Sequence, residues 1–286
     1  MPIESTDLFE FLSLLPTPLE VLVDPISIAL LIMVAAMLCL QALLPGRELP
    51  VIKGWWARAS GVFVVYFYLS TYLPLLWDHY LIEYQVFNLE QYNPYVSTLI
   101  AVLVFELMIY IWHRTMHNTA WLWRTFHQMH HSAERVDTLG AFYFSPLDTA
   151  GFAMLGSLTL SAVVGLSPEA ITLFLFVTFF LAMFQHSNIK TPQWLGYFVQ
   201  RPESHTVHHR KGIHGCNYSD LPIFDLIFGT FNNPKSFEGE VGFYPGASAK
   251  IPDMLLCRDI SAPSQEFVEC DGEGDPRGDT EPVECP

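Results

Sequence analysis

The sequence predicts an all-α fold: a polytopic membrane helical bundle of about five crossings, including a helical hairpin, with a cytosolic helical cap holding a histidine-rich di-metal site. Three observations predict it. Of the 286 residues 51% are apolar and only 15% are charged, a balance unusual for a soluble domain and ordinary for a membrane protein. The apolar residues gather into runs near the roughly 20 needed to cross a bilayer. Most of the eleven histidines fall at the ends of those runs or beyond them, in closely spaced groups.

The elements follow in order. An acidic N-terminal segment, 1–25, lacks the basic start of a signal peptide. Apolar runs then extend from Ile26 to Leu44, Ser60 to Trp77, Tyr95 to Trp112 and Thr149 to Phe184. The last is too long for one crossing. "GLSPEA", Gly165 to Ala170, divides it with a helix-ending Gly and a Pro placed to open the next helix, predicting a hairpin of Thr149 to Leu166 and Glu169 to Gln185. These boundaries give a membrane domain over 26–234 and a C-terminal extension over 235–286. From about 260 the extension is an acidic, Gly- and Pro-rich tail with the composition of a disordered segment.

Charge placement orients the bundle. With five crossings, residues 45–59, 113–148 and 186–286 share one side, and all 14 Lys and Arg lie there. By the positive-inside rule that side, with the C-terminus, is cytoplasmic and the N-terminus lies opposite. Basic patches interleaved with aromatics are absent, so nucleic acid is not an expected partner. Five cysteines without CxxC spacing predict reduced thiols rather than a disulfide framework.

Nine histidines land on the cytoplasmic face. "HRTMH" supplies His113 and His117, "HQMHH" supplies His127, His130 and His131, "QHSN" supplies His186, and "HTVHH" supplies His205, His208 and His209. Residues three or four apart share a helix face, so each group is expected to aim its imidazoles in one direction. Nine imidazoles exceed the needs of one ion and suggest two, and without cysteine ligands iron is the reasonable metal. So many unpartnered polar rings beside a bilayer would be costly without a ligand. His214, in "GIHGCNY", is a candidate tenth ligand, an outer partner or a loop residue. His79, in "WDHY" on the opposite face, reads as a neighbour of the aromatic belt. Glu106 lies inside the third run on the helical stripe of His113 and His117, and is expected to face the bundle interior as an outer base, a channel residue or a helix–helix hydrogen bond. Glu203, Asp220 and Asp225 are candidate carboxylate partners for ligating rings.

Together, HxxxH, HxxHH, the later single histidine, the second HxxHH and "NYSDLPIFDLIFGTF" from Asn217 to Phe231 resemble the fatty acid hydroxylase / sterol desaturase superfamily of integral membrane di-iron enzymes. The resemblance runs over 95–234. It implies two Fe ions held by His113, His117, His127, His130, His131, His186, His205, His208 and His209, acting with dioxygen on a C–H bond of a lipid, fatty-acyl or sterol-like substrate. Some members carry a histidine four residues after the one matching His186. Here that position is Lys190, leaving the later site to His214, to water or to fewer ligands. Aromatics of "AFYFSP", Ala141 to Pro146, are candidate channel residues. The chain has no GxGxxG site and no iron–sulfur cysteine set, so no bound nucleotide cofactor is expected. Electrons would come from a separate ferredoxin or cytochrome with its NAD(P)H reductase, docking near Arg210 and Lys211. Two other classes remain on the sequence. A metal transporter would place ligands through its spans, and a zinc-dependent membrane hydrolase would need an HExxH-like acid where Arg114 stands.

Overall fold

The computed structural model describes residues 13–212 and 214–262. It is helical. Helices α1 (Pro18–Val23), α2 (Pro25–Leu43), α3 (Trp55–Leu81) and α4 (Pro94–Asn118) are followed by short α5 (Ala120–Leu122) and α6 (Gln128–His131), then α7 (Pro146–Ser157) and α8 (Pro168–His186). Small helices α9 (Pro202–His208), α10 (Ile223–Phe228) and α11 (Ile251–Leu255) complete the described chain.

Sequence chemistry sets the starts of these helices. Asp24, Asn93, Ser145 and Ser167 accept hydrogen bonds from backbone N–H groups of the first turns of α2, α4, α7 and α8, and each is followed by Pro at a first-turn position. Four helices are long and apolar enough to cross a membrane: α2, α3 with its short continuation to Tyr84, α4 and α8. Helix α7 lies where the fifth crossing is expected, but it has only 12 residues before it loosens into a π turn over Leu158–Val163, and it is not among the helices long enough to cross. The chain turns where the hairpin is expected, with Ser167 and Pro168 opening the second arm, but α7 packs chiefly on α3 and α8 on α4. Its turn also makes a contact that periodicity does not announce. Val164 and Gly165 pair in parallel with Phe87 and Asn88, tying the hairpin to the connection between α3 and α4.

At the other end the loops leaving the spans interlock as a cap. Trp55 Nε1 donates to Asp137 and Tyr143 Oη donates to the Ser248 carbonyl. Gln128 bonds the Arg258 carbonyl and the Ile260 N–H. Phe243, Ala247, Met254 and Ile260 share one buried cluster with Trp55, Met129, Phe142 and Met183, so the extension as far as residue 262 packs into the same core as the boxes. The acidic tail from 263 onward, with Cys270 and Cys285, lies outside the described residues, as does the start of the N-terminal segment. Among the described residues Cys39, Cys216 and Cys257 are in no disulfide.

Candidate metal centre

Helix α4 brings the first two histidines. Its buried stripe runs Thr98, Ala101, Val102, Glu106, Ile109, Tyr110, His113 and Met116, the three-and-four spacing of an inward face. A π turn over Trp123–His127 leads into α6, which carries His130 and His131. His186 closes α8, and α9 with its first following residue carries His205, His208 and His209.

The nine histidines sort into two buried groups. His113, His117, His127, His131 and His208 form one, while His130, His186, His205 and His209 form the other; within each group one ring nitrogen per residue lies within 4.8 Å of all the others. The expectation that each triplet points one way is corrected here. In both HxxHH boxes the first and last rings stay together and the middle ring separates: His127 and His131 enter the first group with His130 in the second, while His205 and His209 enter the second with His208 in the first. On a helix, positions three and four ahead of a residue differ by about 100° from each other. Adjacent histidines therefore diverge, and one box serves two centres.

Hydrogen bonding fixes the ring faces. His113 Nδ1 lies 2.7 Å from the Tyr218 carbonyl, His208 Nδ1 2.7 Å from the Cys216 carbonyl and His186 Nδ1 2.7 Å from the Ala182 carbonyl. A carbonyl only accepts, so these Nδ1 atoms carry the proton and each Nε2 presents a bare lone pair. His127 Nδ1 bonds the buried Asp148 carboxylate at 2.9 Å, with the same consequence. His127 Nε2 and His113 Nε2 then face each other at 2.9 Å. Two lone pairs at that distance repel unless a cation lies between them. In the second group His186 Nε2 lies 3.0 Å from both His130 Nε2 and His205 Nε2, and His205 Nε2 lies 3.1 Å from His209 Nε2. Metal–imidazole bonds of about 2.1 Å at right angles would put neighbouring nitrogens about 3 Å apart. The donor sets thus fit metal ions. Burial holds the imidazoles of His127, His130, His131, His205, His208 and His209 well below their ordinary pKa, with repulsion among them adding to it.

Other sequence candidates fall as follows. His214 packs beside the first group, its ring 5.0 Å from His131 and 5.2 Å from Trp123, and its Nδ1 lies 3.3 Å from the His208 carbonyl. It stands away from the second group, where the substitution of Lys190 left a question. Glu106 is fully buried and accepts from the backbone N–H groups of Asp220 at 2.8 Å and Leu221 at 3.1 Å. It therefore fastens the loop whose Tyr218 carbonyl orients His113.

The expected carboxylate partners are corrected. Glu203 bonds Thr191 and Arg201, Asp220 bonds Gln185, and Asp225 accepts from the N–H groups of Tyr218 and Ser219; the ring-holding carboxylate is Asp148. Its only sequence signal is a Ser-x-x-Asp helix start shortly after the first HxxHH. Of "AFYFSP", Phe144 reaches the site, its ring 4.5 Å from His130 and 6.3 Å from His127. Phe142 packs instead on Phe63, Tyr66 and Phe179.

A bundle of helices long and apolar enough to cross a membrane, under a cap with two buried histidine groups that could hold metal, defines an integral membrane protein with a candidate metal centre. Comparison with known proteins gives the family. Residues 98–230 match the fatty acid hydroxylase family, and this region belongs to the fatty acid hydroxylase / sterol desaturase superfamily. An ornithine lipid hydroxylase of Rhizobium tropici is 30% identical over 51% of this chain and 44% of its own length. The human cholesterol 25-hydroxylase is 30% identical over 46% of this chain and 50% of its own, and a very-long-chain aldehyde decarbonylase of Oryza sativa subsp. indica is 29% identical over 46% and 53%. The chain spans about half the length of these curated relatives. No solved structure matches it.

Proposed function

We propose that this chain is a membrane-bound lipid hydroxylase whose two histidine groups each hold one iron ion, nine box histidines serving as ligands. The observation that carries the reading is the pair of bare Nε2 atoms of His113 and His127 turned toward each other at 2.9 Å, repeated in kind across the second group. Bound ferrous iron would supply dioxygen activation, the chemistry an unactivated C–H bond requires because it has no proton a side-chain base can remove. Asp148 and the carbonyls of Tyr218, Cys216 and Ala182 keep four rings in one tautomer. Glu106 and Asp225 act at one remove, holding the loop that carries Tyr218. Phe144 lies against one ring from each group and walls the site with an apolar surface suited to an alkyl or sterol skeleton.

The named relatives include hydroxylases of an ornithine lipid and of cholesterol, which supports hydroxylation over desaturation and a lipid or sterol substrate. In this reading 26–234 is the membrane hydroxylase domain with 235–286 as its extension, and the histidine site is cytoplasmic. Electrons come from a separate ferredoxin or cytochrome with its NAD(P)H reductase, docking near the exposed Lys211. A transport role is disfavoured because the histidines gather at one end of the bundle, with Glu106 the deep carboxylate of α4.

The test begins with metal. Detergent-purified protein loaded anaerobically with ferrous iron should hold about two irons per chain, and His130→Ala with His208→Ala, one ligand from each group, should lose them. Wild type supplied with a reduced ferredoxin and oxygen should convert a fatty-acyl lipid or sterol to a product one oxygen atom heavier. Stable retention of a single zinc with no histidine-dependent iron would replace this reading with the hydrolase.

A further inference from the structure

A second cluster of charge lies on the far face of α9 from the histidines. Gly46, Arg47, Asn188, Lys190, Glu203, Lys235 and Phe237 help line a cleft of about 110 Å³. Its only lining carboxylate is already engaged, because Glu203 holds Thr191 and the fully buried Arg201. Lys190 and Lys235 are exposed and form no ion pair among the described residues. Arg47 is anchored through its backbone, its N–H donating to Asn188 Oδ1 and its carbonyl accepting from Asn188 Nδ2. The guanidinium rests over the Phe237 ring, and its Nη2 is buried without a hydrogen-bond partner. Burial and the neighbouring Arg135 lower the Arg47 pKa to about 10, which leaves it charged at neutral pH. A buried, unpartnered guanidinium nitrogen beside two free ammonium groups is the arrangement that an anion completes.

The cleft's position says what kind of anion. It sits where two spans end, α2 at Leu43 and α8 at His186, whose exits are stitched by Gly46 N–H to the Asn188 carbonyl and by a bridge between Pro45 and Ile189. Leu43 and Leu44, immediately before it, are 78% and 64% exposed, as residues that meet hydrocarbon would be. The cleft therefore lies just outside the hydrocarbon boundary, at the depth of lipid phosphates. Basic pockets between membrane helices on this side recognise anionic headgroups.

We infer that the cleft formed by Arg47, Lys190 and Lys235 binds the phosphate of an anionic phospholipid, at a site separate from the histidine groups. The headgroup would bridge the exits of α2 and α8 and steady the strand that leads from His186 to the cap. A free phosphate ion offers the same chemistry without the acyl chains, and the test separates the two.

The full chain is purified in an uncharged detergent and lipid binding is read by native mass spectrometry with dioleoyl phosphatidic acid, dioleoyl phosphatidylcholine or inorganic phosphate. Wild type is expected to retain one phosphatidic acid in preference to phosphatidylcholine. Lys190→Gln with Lys235→Gln should reduce that preference about thirtyfold, at about fivefold for each charge, while iron loading stays unchanged. Arg47→Gln should reduce it further. Equal retention of the two lipids, an undiminished preference in the lysine pair, or displacement of phosphatidic acid by equimolar inorganic phosphate would each overturn the assignment.

Discussion

Asp148 binds no metal in the proposed site, yet it decides how one ligand is presented. Its carboxylate accepts a hydrogen bond from His127 Nδ1–H at 2.9 Å within a fully buried site, so the ring can turn only Nε2 toward the first group. Partners of this kind tune affinity by about 10–100-fold. Asp148→Ala should weaken metal binding by about that factor in a competitive chelator titration, whereas Asp148→Asn, which keeps an accepting oxygen, should lose less. Glu106 acts through a loop instead. Glu106→Ala leaves the Asp220 and Leu221 N–H groups unsatisfied, a loss of about 3 kcal/mol for two buried donors left unpaired, and frees the loop that orients His113. Glu106→Gln retains an accepting oxygen and should keep most of the stability and metal. Thermal unfolding and iron content measured on both variants separate this positioning role from proton transfer, since a base would lose turnover in the Gln variant with metal intact.

At the scale of elements, the exits of α2 and α8 approach too closely for a side chain. A Cβ on Gly46 would lie 2.7 Å from the Ile189 carbonyl carbon and 2.9 Å from the Lys190 nitrogen, both backbone atoms that cannot rotate away. Gly46→Ala should therefore cost about 1–3 kcal/mol and lower the thermal midpoint in detergent. Gly61→Ala on α3, where a Cβ meets nothing within 4 Å, should be neutral or stabilise by about 0.5–1 kcal/mol. The contrast locates the effect in the junction rather than in glycine loss itself. Legibility follows the same division. Length and hydropathy read out four spans, the Ser-Pro of "GLSPEA" read out the turn before α8, and HxxxH and HxxHH spacing read out eight of the nine histidines, because these signals are local and periodic. The assignment of alternate rings to two groups, the π turns at Trp123–His127 and Leu158–Val163, and the contact of Asp148 with His127 depend on how distant segments pack. No window of sequence contains both Gly46 and Ile189, or both Glu106 and Leu221.

At the scale of the whole molecule, burying six cap imidazoles in two adjoining groups couples folding to pH. His127, His130, His131, His205, His208 and His209 all have folded pKa values well below 6.5, chiefly through desolvation. The unfolded chain takes up protons on these residues as pH falls through about 6.5, while the folded chain stays neutral there. Between the unfolded and folded values the unfolded state binds more protons, so stability rises with pH across that window. The contribution is complete above about 6.5 and is lost progressively below it. Metal-free protein prepared with a chelator should thus show a thermal midpoint that is level from pH 8 to about 7 and falls steadily toward pH 5. Binding of ferrous iron at pH 7 should release few protons, because the ligands are already neutral; calorimetry in buffers of different ionisation enthalpy reads that number directly. A midpoint that stays flat to pH 5, or release of several protons per ion, would mean that the histidines are protonated before metal arrives and that the close nitrogen pairs are not held as bare lone pairs. A falling midpoint with little proton release would instead tie the whole cap's stability to the same neutral rings that the proposed metal site requires.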